Sequence, residues 1–186
     1  MAKIILGFTG LIASGKEVSK KYLEEKYQAS SHRFSTMLRD ILNRLYLPIT
    51  RKNLQELSYD LRTRFGSDTM ARVIAEDVKN DPHEIVIVEG IRRIDDIIKL
   101  KNFPNFFLIS IEAGTEIRHE RLVKRNENIG DSTKTLEQFM TDGEQEAEKQ
   151  IPAVMNQAPY QINNNGTLAD LYRQLDQIML NLNNKL

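Results

Sequence analysis

Two glycines and a lysine near the start of the chain have the spacing of a phosphate-binding loop. Gly10 and Gly15 are separated by four residues, and Lys16 follows directly. Glycines let the backbone turn so that consecutive N–H groups face one anion at a helix start, where the helix dipole also favours negative charge. The lysine adds a mobile cation for the outer phosphates. The predicted donor-binding residues here are Gly10, Ala13, Ser14, Gly15, Lys16, Glu17 and Val18.

The residue after the lysine departs from the usual motif. Most such loops place Ser or Thr there to coordinate Mg²⁺, whereas this chain has Glu17. Its longer carboxylate either reaches the metal, directly or through water, or repels the triphosphate. Glu17 is therefore a candidate metal ligand, and a nucleotide-binding regulator with weak or no turnover is an alternative function.

A second candidate metal ligand ends an apolar run. Glu89 follows Val86-Ile87-Val88, and a carboxylate there can hold a magnesium-bound water or accept a proton beside the phosphates. Arg92 comes next and offers a planar pair of donors for an acceptor phosphate or carboxylate. The structural alternatives are a surface acid for Glu89, and for Arg92 an ion pair with Asp95 or Asp96.

Three arginines at spacings of three and four residues share one predicted helix face: Arg118, Arg121 and Arg125. The positive charges on such a face repel one another unless an anion binds to them. An arginine that closes over a transferring phosphoryl group raises the rate of transfer about a thousandfold or more. The polar segment 126–135 follows, so we expect a short lid over about residues 115–135. The alternative is a solvated charged helix.

Further arginines lie in the helical region of about residues 36–80. Their spread predicts a flank that binds the acceptor, whereas the alternative for each is a solvated charge. No histidine shows metal-ligand spacing or a neighbouring nucleophile motif. The arginines are Arg39, Arg62, Arg64 and Arg72, and the histidines are His32, His83 and His119.

Strand and helix patterns alternate along the chain, which predicts an α/β fold of three layers: about five parallel strands with helices on both faces. Ligands collect at the carboxyl ends of such strands, where the loop, Glu89 and an asparagine-rich turn should meet. After the strand that precedes the loop, we predict strands at 31–34, 84–88, 106–111 and 160–163. Predicted helices span 18–27, 36–46, 51–65, 68–79, 94–100, 115–124, 136–149 and 168–182.

Composition limits the partners. The chain of 186 residues, 40% apolar, has the size of one domain, here residues 1–186. Its 26 basic and 26 acidic residues cancel, so we expect a small anion as partner, with no nucleic acid polymer and no membrane. No apolar run reaches membrane-helix length, no leader is evident and cysteine is absent, which favours the cytoplasm. Monomer and homodimer both stay open.

Several segments together resemble the nucleoside monophosphate kinase group of P-loop kinases. The likeness covers nearly the whole chain and is nearest to deoxynucleoside monophosphate kinase-like and adenylate kinase-related proteins, with dephospho-CoA kinase a relative. Glu17 and Val18 match neither common form of the loop, Thr36 replaces a frequent acid, and Glu89 replaces an aspartate. The segments are 10–16, 34–39, 53–55 through 65–68, 88–92, 120–125 and 163–167.

The resemblance implies a P-loop NTPase fold and transfer of the ATP γ-phosphoryl to a nucleoside or deoxynucleoside monophosphate, assisted by Mg²⁺. Runner-up acceptors are hydroxyls, as in dephospho-CoA or a nucleoside. Lys16 and the loop would hold the donor phosphates, and Asn165 and Gly166 would lie by the donor base. The resemblance also implies that Arg39 and Arg92 face the acceptor and that Arg121 and Arg125 belong to the lid, where they would neutralise charge. Arg62, from the spread of arginines, is a further candidate for acceptor binding, and Glu89 would organise the metal.

Overall fold

The computed structural model describes residues 2–126, 130–143 and 149–185. Five strands alternate with helices along the described chain. The strands are β1 (Ile4–Thr9), β2 (Ser30–Arg33), β3 (Ile85–Ile91), β4 (Phe106–Glu112) and β5 (Tyr160–Asn163). The helices are α1 (Lys16–Tyr27), α2 (Phe34–Arg44), α3 (Arg51–Phe65), α4 (Thr69–Asn80), α5 (Ile94–Ile97), α6 (Thr115–Arg125), α7 (Leu136–Gly143), α8 (Ile151–Met155) and α9 (Leu168–Asn183), with short 3₁₀ turns at Leu100–Asn102 and Asp131–Thr133.

All strands run parallel, in the order β2-β3-β1-β4-β5. The central strand β1 pairs on both sides, with Leu6 opposite Ile87 of β3 and Phe107 of β4. The phosphate-binding loop therefore leaves the middle of the sheet. This arrangement confirms the predicted three-layer α/β fold with a five-stranded parallel sheet.

Helices cover both faces of the sheet. Val86 and Val88 of β3 face one core with Leu38 of α2, whereas Ile87 faces the other core with Leu23 of α1. Strands buried on both faces read as continuous apolar runs, which explains why β3 and β4 were recognisable from sequence. None of the helices in the described ranges is long and apolar enough to span a membrane.

Strand β3 ends later than predicted. It continues through Glu89 and Gly90 to Ile91, whereas the sequence indicated an end at residue 88. Gly7 pairs with Val88 but Thr9 pairs with Ile91, so β3 has an extra residue at this point, and Gly90 adopts a positive φ of 83°. A glycine in this conformation is typical of a β-bulge, and here it redirects the end of β3 beside the loop.

Several other boundaries also differ. Helix α2 begins at Phe34 instead of 36, and the helix predicted over 94–100 divides into α5 and a 3₁₀ turn. Helix α7 is described over Leu136–Gly143, and α8, which was not predicted, has Pro152 in its first turn. Parts of two predicted features, 127–129 of the lid and 144–148 of the helix 136–149, lie outside the described residues.

One carboxylate fastens α1 to α9. Asp176 accepts hydrogen bonds from the Tyr22 and Tyr27 hydroxyls and from the Lys26 ammonium, each at 2.8 to 2.9 Å. Tyr22 also stacks on Tyr172 with ring centroids 3.9 Å apart. Burial and the hydrogen bond to Asp176 raise the pKa of Tyr27 to about 12. The helix that follows the phosphate-binding loop is thus fixed on α9.

A second carboxylate ties β2 to the end of α4. Asp81 accepts from the Ser30 hydroxyl at 2.8 Å and lies 2.7 and 2.8 Å from ring nitrogens of His32 and His83. Burial acts to raise its pKa, but the His83 backbone N–H and these side chains outweigh burial and lower the pKa to about 2. His32 and Ser30 therefore hold β2, the strand that leads into α2, to the end of α4.

The lowered pKa of Asp81 predicts a loss of stability in acid. The ionised carboxylate contributes about 2 kcal/mol above its unfolded pKa near 4, and this contribution disappears as pH falls towards 2. In Asp81→Asn the free energy of unfolding should therefore fall by about 2 kcal/mol at pH 6 and depend less on pH below 4. Urea unfolding at several pH values measures this. The exposed Asp77→Asn is the control, and equal pH profiles for the two variants would contradict the prediction.

Candidate phosphate-binding site

Three residues of the loop after β1 adopt positive φ angles: Gly10 at 143°, Ala13 at 60° and Gly15 at 113°. A Cβ atom at Gly10 would overlap the Ile111 carbonyl oxygen, and one at Gly15 would overlap the Asn164 side chain. Both positions therefore require glycine for space as well as for φ. Backbone N–H groups at the start of a helix suit an anion, and the positive φ angles allow the tight turn that leads into α1.

Lys16 is the first residue of α1 and folds back over the loop. Its Nζ donates to the carbonyls of Gly10 and Leu11 at 2.5 and 2.8 Å. Ser14 is fully buried, and its hydroxyl has no hydrogen-bond partner in the described part of the chain. Val18, in contrast, is an exposed residue of α1. The structure thus brings the lysine, but not Val18, onto the loop.

The loop after β5 supports the phosphate-binding loop from outside. Asn164 is buried. Its Nδ2 donates to the Ser14 carbonyl at 2.8 Å, and its backbone N–H donates to the Glu112 backbone carbonyl at 2.7 Å. Asn165 accepts from the Gly114 N–H at 2.7 Å, next to Gly166. Sequence reasoning named 165 and 166 for the donor base but missed the role of Asn164, because its partner lies 150 residues away.

Two acidic and two basic side chains meet where α1 lies beside the ends of β2 and β3. The Lys20 ammonium lies 3.0 Å from Glu17 Oε1 and 3.4 Å from Glu89 Oε1. Arg33 contacts the same two acids, with Nε 3.2 Å from Glu89 Oε1 and Nη2 3.8 Å from Glu17 Oε2. Burial acts to lower the pKa of Lys20, but the Glu17 hydrogen bond and the charges of Glu89 and Glu17 raise it overall.

These carboxylates have the donor chemistry that magnesium prefers. Glu17 and Glu89 place carboxylate oxygens, which are hard donors, side by side around Lys20. Across the described residues no three Asp, Glu or His side chains cluster in a way that could hold a metal ion. The two carboxylates fit an ion that takes its remaining ligands from water and from the phosphates of a nucleotide.

The predicted acceptor arginines fall into two kinds. Arg39 is half-buried on α2 and makes no hydrogen bond or ion pair with the described chain, while Arg92 is exposed after β3. Arg62 instead pairs with buried Asp96 at 2.7 Å and donates to the Ser67 carbonyl. Asp96 also accepts from the backbone N–H groups of Arg92 and Arg93. Asp96, four residues after Arg92, thus pairs with the Arg62 side chain and holds the Arg92 backbone in place.

This buried pair makes Asp96 important for stability. In Asp96→Ala, the Arg62 guanidinium and two backbone N–H groups lose their acceptor, and breaking a buried pair costs about 3 kcal/mol or more. We expect that decrease in the free energy of unfolding, measured in urea at neutral pH. The neighbouring variant Asp95→Ala is the control, because Asp95 forms no such bond within the described structure. A decrease below about 1 kcal/mol would contradict the burial argument.

The three arginines of α6 have different surroundings. Arg118 is buried, donates to the Ala113 and Ile12 carbonyls at 3.1 and 3.3 Å, and lies over the Phe139 ring. Arg121 is half-buried, and its Nη1 is enclosed without a hydrogen-bond partner in the described part of the chain. Arg125 is exposed at the helix end. Arg118 therefore joins the phosphate-binding loop to α6 and α7, with Arg121 one turn further along.

A histidine connects α6 with the segment that follows it. His119 Nε2 lies 2.7 Å from the Lys134 carbonyl oxygen, and its ring lies against Phe139. Asp131, in the 3₁₀ turn between α6 and α7, is buried. The described part of the predicted lid is therefore a folded extension of α6, and residues 127–129 lie outside the description.

Comparisons with known proteins identify relatives whose names state no activity. The UPF0200 proteins of Sulfurisphaera tokodaii and Methanoregula boonei are 27% and 28% identical over 177 and 179 residues, which are 94% of this chain and 95% of each protein. The UPF0200/UPF0201 protein of Archaeoglobus fulgidus is 25% identical over 96% of this chain, but the chain spans only 55% of that protein. No family model matches the chain.

Solved structures give the fold. A shikimate kinase of Bacteroides thetaiotaomicron matches with a TM-score of 0.63 and 14% identity, over 97% of this chain and 98% of that one. A gluconokinase of Sinorhizobium meliloti 1021 matches with a TM-score of 0.56 and 13% identity, over 98% and 97%. At these identities the likeness concerns the fold alone. The chain has the fold of these P-loop kinases, which confirms the fold that the resemblance implied.

Proposed function

We propose that this protein transfers the γ-phosphoryl group of ATP to the phosphate of a nucleoside or deoxynucleoside monophosphate, with Mg²⁺ as cofactor. The observation that carries the proposal is the curled loop 10–15, with Lys16 at the first position of α1. Backbone N–H groups at a helix start and the lysine ammonium both suit the negative charge of polyphosphate oxygens. The P-loop kinase fold adds support, because it sets such a loop at the sheet edge where ligands collect.

The donor would lie along the loop with its base towards the β5–α9 turn. Lys16 would exchange its contacts with the Gly10 and Leu11 carbonyls for the outer phosphates. Asn165 and Gly166 belong to the turn that Asn164 fastens to the loop, so a base held there stays in register with its phosphates. Ser14 and Asn164 act by positioning the backbone.

The acceptor would bind between α2 and the end of β3. Arg39 is half-buried without a partner in the described structure, and Arg92 lies past the bulge of β3. Two guanidinium groups suit a phosphate dianion. Such a phosphate has a second pKa near 6, so its oxygen attacks without a strong general base. Arg62 would contribute through Asp96, which fixes the Arg92 backbone.

Transfer itself would depend on positive charge. Mg²⁺, when bound, would supply positive charge that offsets the charge developing on the phosphates. Glu89 and Glu17 would hold the ion or its water, and the Arg121 guanidinium, one nitrogen of which is enclosed and unpaired in the described structure, would neutralise the equatorial oxygens. Arg125 would join it from the exposed end of α6.

A hydroxyl acceptor is the second candidate. The two kinases matched by fold are named for shikimate and gluconate, and a hydroxyl substrate needs a base that removes its proton. Glu89 is the carboxylate available, but its Oε1 already contacts Lys20 and Arg33, so it would have to give up these ion pairs to reach a substrate hydroxyl. This pairing favours the phosphate acceptor. The alternative of a nucleotide-binding regulator would be favoured only if the Glu17 carboxylate, which lies beside the loop, repelled the donor phosphates.

A substrate panel tests the proposal. ADP formation from Mg-ATP is measured with ribo- and deoxyribonucleoside monophosphates, with dephospho-CoA and nucleosides as hydroxyl acceptors, and with no acceptor. We expect turnover with one class of monophosphate and little without acceptor. Turnover with hydroxyl acceptors alone would replace the proposed acceptor, and tight ATP binding with no turnover for any acceptor would support the regulator.

A further inference from the structure

The Lys20 ammonium occupies the space between the two candidate metal ligands. Its Nζ lies 3.0 Å from Glu17 Oε1 and 3.4 Å from Glu89 Oε1, and the side chain is only 15% exposed. Lys20 follows Glu17 by one turn of α1, while Glu89 reaches the same point from the end of β3. One cation of the chain thus bridges two acids from separate elements.

Arg33 completes the charge balance. It contacts Glu89 and Glu17 at 3.2 and 3.8 Å, but its side chain is 42% exposed, so Lys20 is the more enclosed of the two cations. The four formal charges cancel. A divalent cation that entered this group would add two positive charges where two are already present.

The distances place metal and ammonium in competition. Mg²⁺ bound directly to a carboxylate lies about 2.0–2.1 Å from the oxygen. An ion that contacted both Glu17 and Glu89 would therefore lie in the gap where Lys20 Nζ now contacts them. Positive charges at such separation repel strongly in a partly buried site.

Lys20 has another partner within reach. Glu24 lies one turn further along α1, on the same face, and its charge already acts on the Lys20 ammonium. The lysine stem is flexible, so the ammonium can swing from the gap towards Glu24 without a backbone movement. Glu24 itself accepts a hydrogen bond from the Ser31 hydroxyl at 2.7 Å, which holds it in place.

We propose that Lys20 is an internal competitor of the divalent cation: it holds Glu17 and Glu89 together without metal and leaves the gap when metal binds. This inference rests on the proposed function, because it concerns the metal of that reaction. Lys20 is a positioning residue, and its charge sets the metal concentration at which the two carboxylates become available.

Metal binding without nucleotide tests the inference. Mn²⁺ is titrated into the chain, and the unbound ion is counted by electron paramagnetic resonance. Lys20→Met keeps the apolar stem and removes the charge, so we expect its dissociation constant for Mn²⁺ to fall about tenfold below that of the original chain. Lys21→Met is the matched control, since Lys21 is exposed on the next position of α1 and has no partner in the described structure.

A second substitution identifies the ligand. Adding Glu17→Gln to Lys20→Met should abolish the tenfold gain, because one of the two carboxylates is then neutral. If Lys20→Met does not fold, as judged by circular dichroism, Lys20→Gln replaces it with the same expectation. Equal or weaker Mn²⁺ binding by the folded variant, or no binding by either chain, overturns the inference.

The outcome is separate from that of the proposed function. The titration needs neither ATP nor an acceptor, so tighter metal binding by Lys20→Met supports the competition even if no acceptor is phosphorylated. Conversely, a chain that phosphorylates a monophosphate while Lys20→Met binds Mn²⁺ no more tightly retains the proposed function and loses this inference.

Discussion

Lys16→Ala should lower kcat/KM for phosphoryl transfer about a thousandfold or more. The Lys16 ammonium lies directly across the loop, 2.5 and 2.8 Å from the Gly10 and Leu11 carbonyls. Charge stabilisation by a preorganised donor of this kind is worth about 10²–10³ in rate when the donor is neutral, and a full charge contributes more. The measurement is steady-state ADP formation with saturating acceptor.

The fold should not depend on this lysine. Lys16 contacts backbone oxygens of its own loop, so removal of the ammonium costs little packing. The midpoint temperature of thermal unfolding should therefore shift by a few degrees at most, which corresponds to about 1 kcal/mol in the free energy of unfolding. Lys21→Ala, exposed on the same helix, is the control and should keep full activity. A Lys16→Ala variant that retains more than about a tenth of the rate would contradict the assigned role.

Arg121→Ala should give the second large loss, about a thousandfold in kcat with donor binding nearly unchanged. The guanidinium is half-buried on α6, and its enclosed Nη1 has no partner in the described structure, so it is prepared for an anion that arrives during the reaction. An arginine that neutralises a moving phosphoryl group is worth about 10³–10⁵. Pre-steady-state transfer separates this effect from ATP affinity.

Two further variants sharpen that result. Arg121→Lys keeps the charge but loses the planar fork, so it should recover only part of the rate. Lys124→Ala removes a cation from the exposed side of α6 and should leave kcat unchanged. If Arg121→Ala changed only the KM for ATP, the arginine would bind the donor and not the transferring group.

The three central strands, β1, β3 and β4, were predictable because they are short apolar runs between turn signals. Glycine spacing located the loop for a similar reason, since positive φ and close approach both require glycine at 10 and 15. The end of β3 was predicted wrongly, because Gly90 reads as a strand breaker while the partner strand β1 accommodates it as a bulge. Helix α8 is only five residues long, too short for a periodic signal.

The site was less predictable, because its supporting contacts join residues far apart in sequence. Asn164 meets Ser14, and Asp96 meets Arg62, through tertiary packing that no local pattern records. The pairing of Lys20 with Glu17 could be predicted from their spacing of three residues on a helix. Its pairing with Glu89 could not, because Glu89 is 69 residues away. Residue types therefore indicated the chemistry, whereas the pairing of each charge required the fold.

The central claim is that the γ-phosphoryl group moves to the phosphate of a monophosphate and not to water. ATP labelled in the γ-phosphoryl group is incubated with Mg²⁺, the chain and the best acceptor of the panel, and the products are separated. The account predicts that most of the label appears in the nucleoside diphosphate and that Lys16→Ala forms almost none. Label recovered as inorganic phosphate, or on a hydroxyl acceptor in preference to every monophosphate, would contradict it.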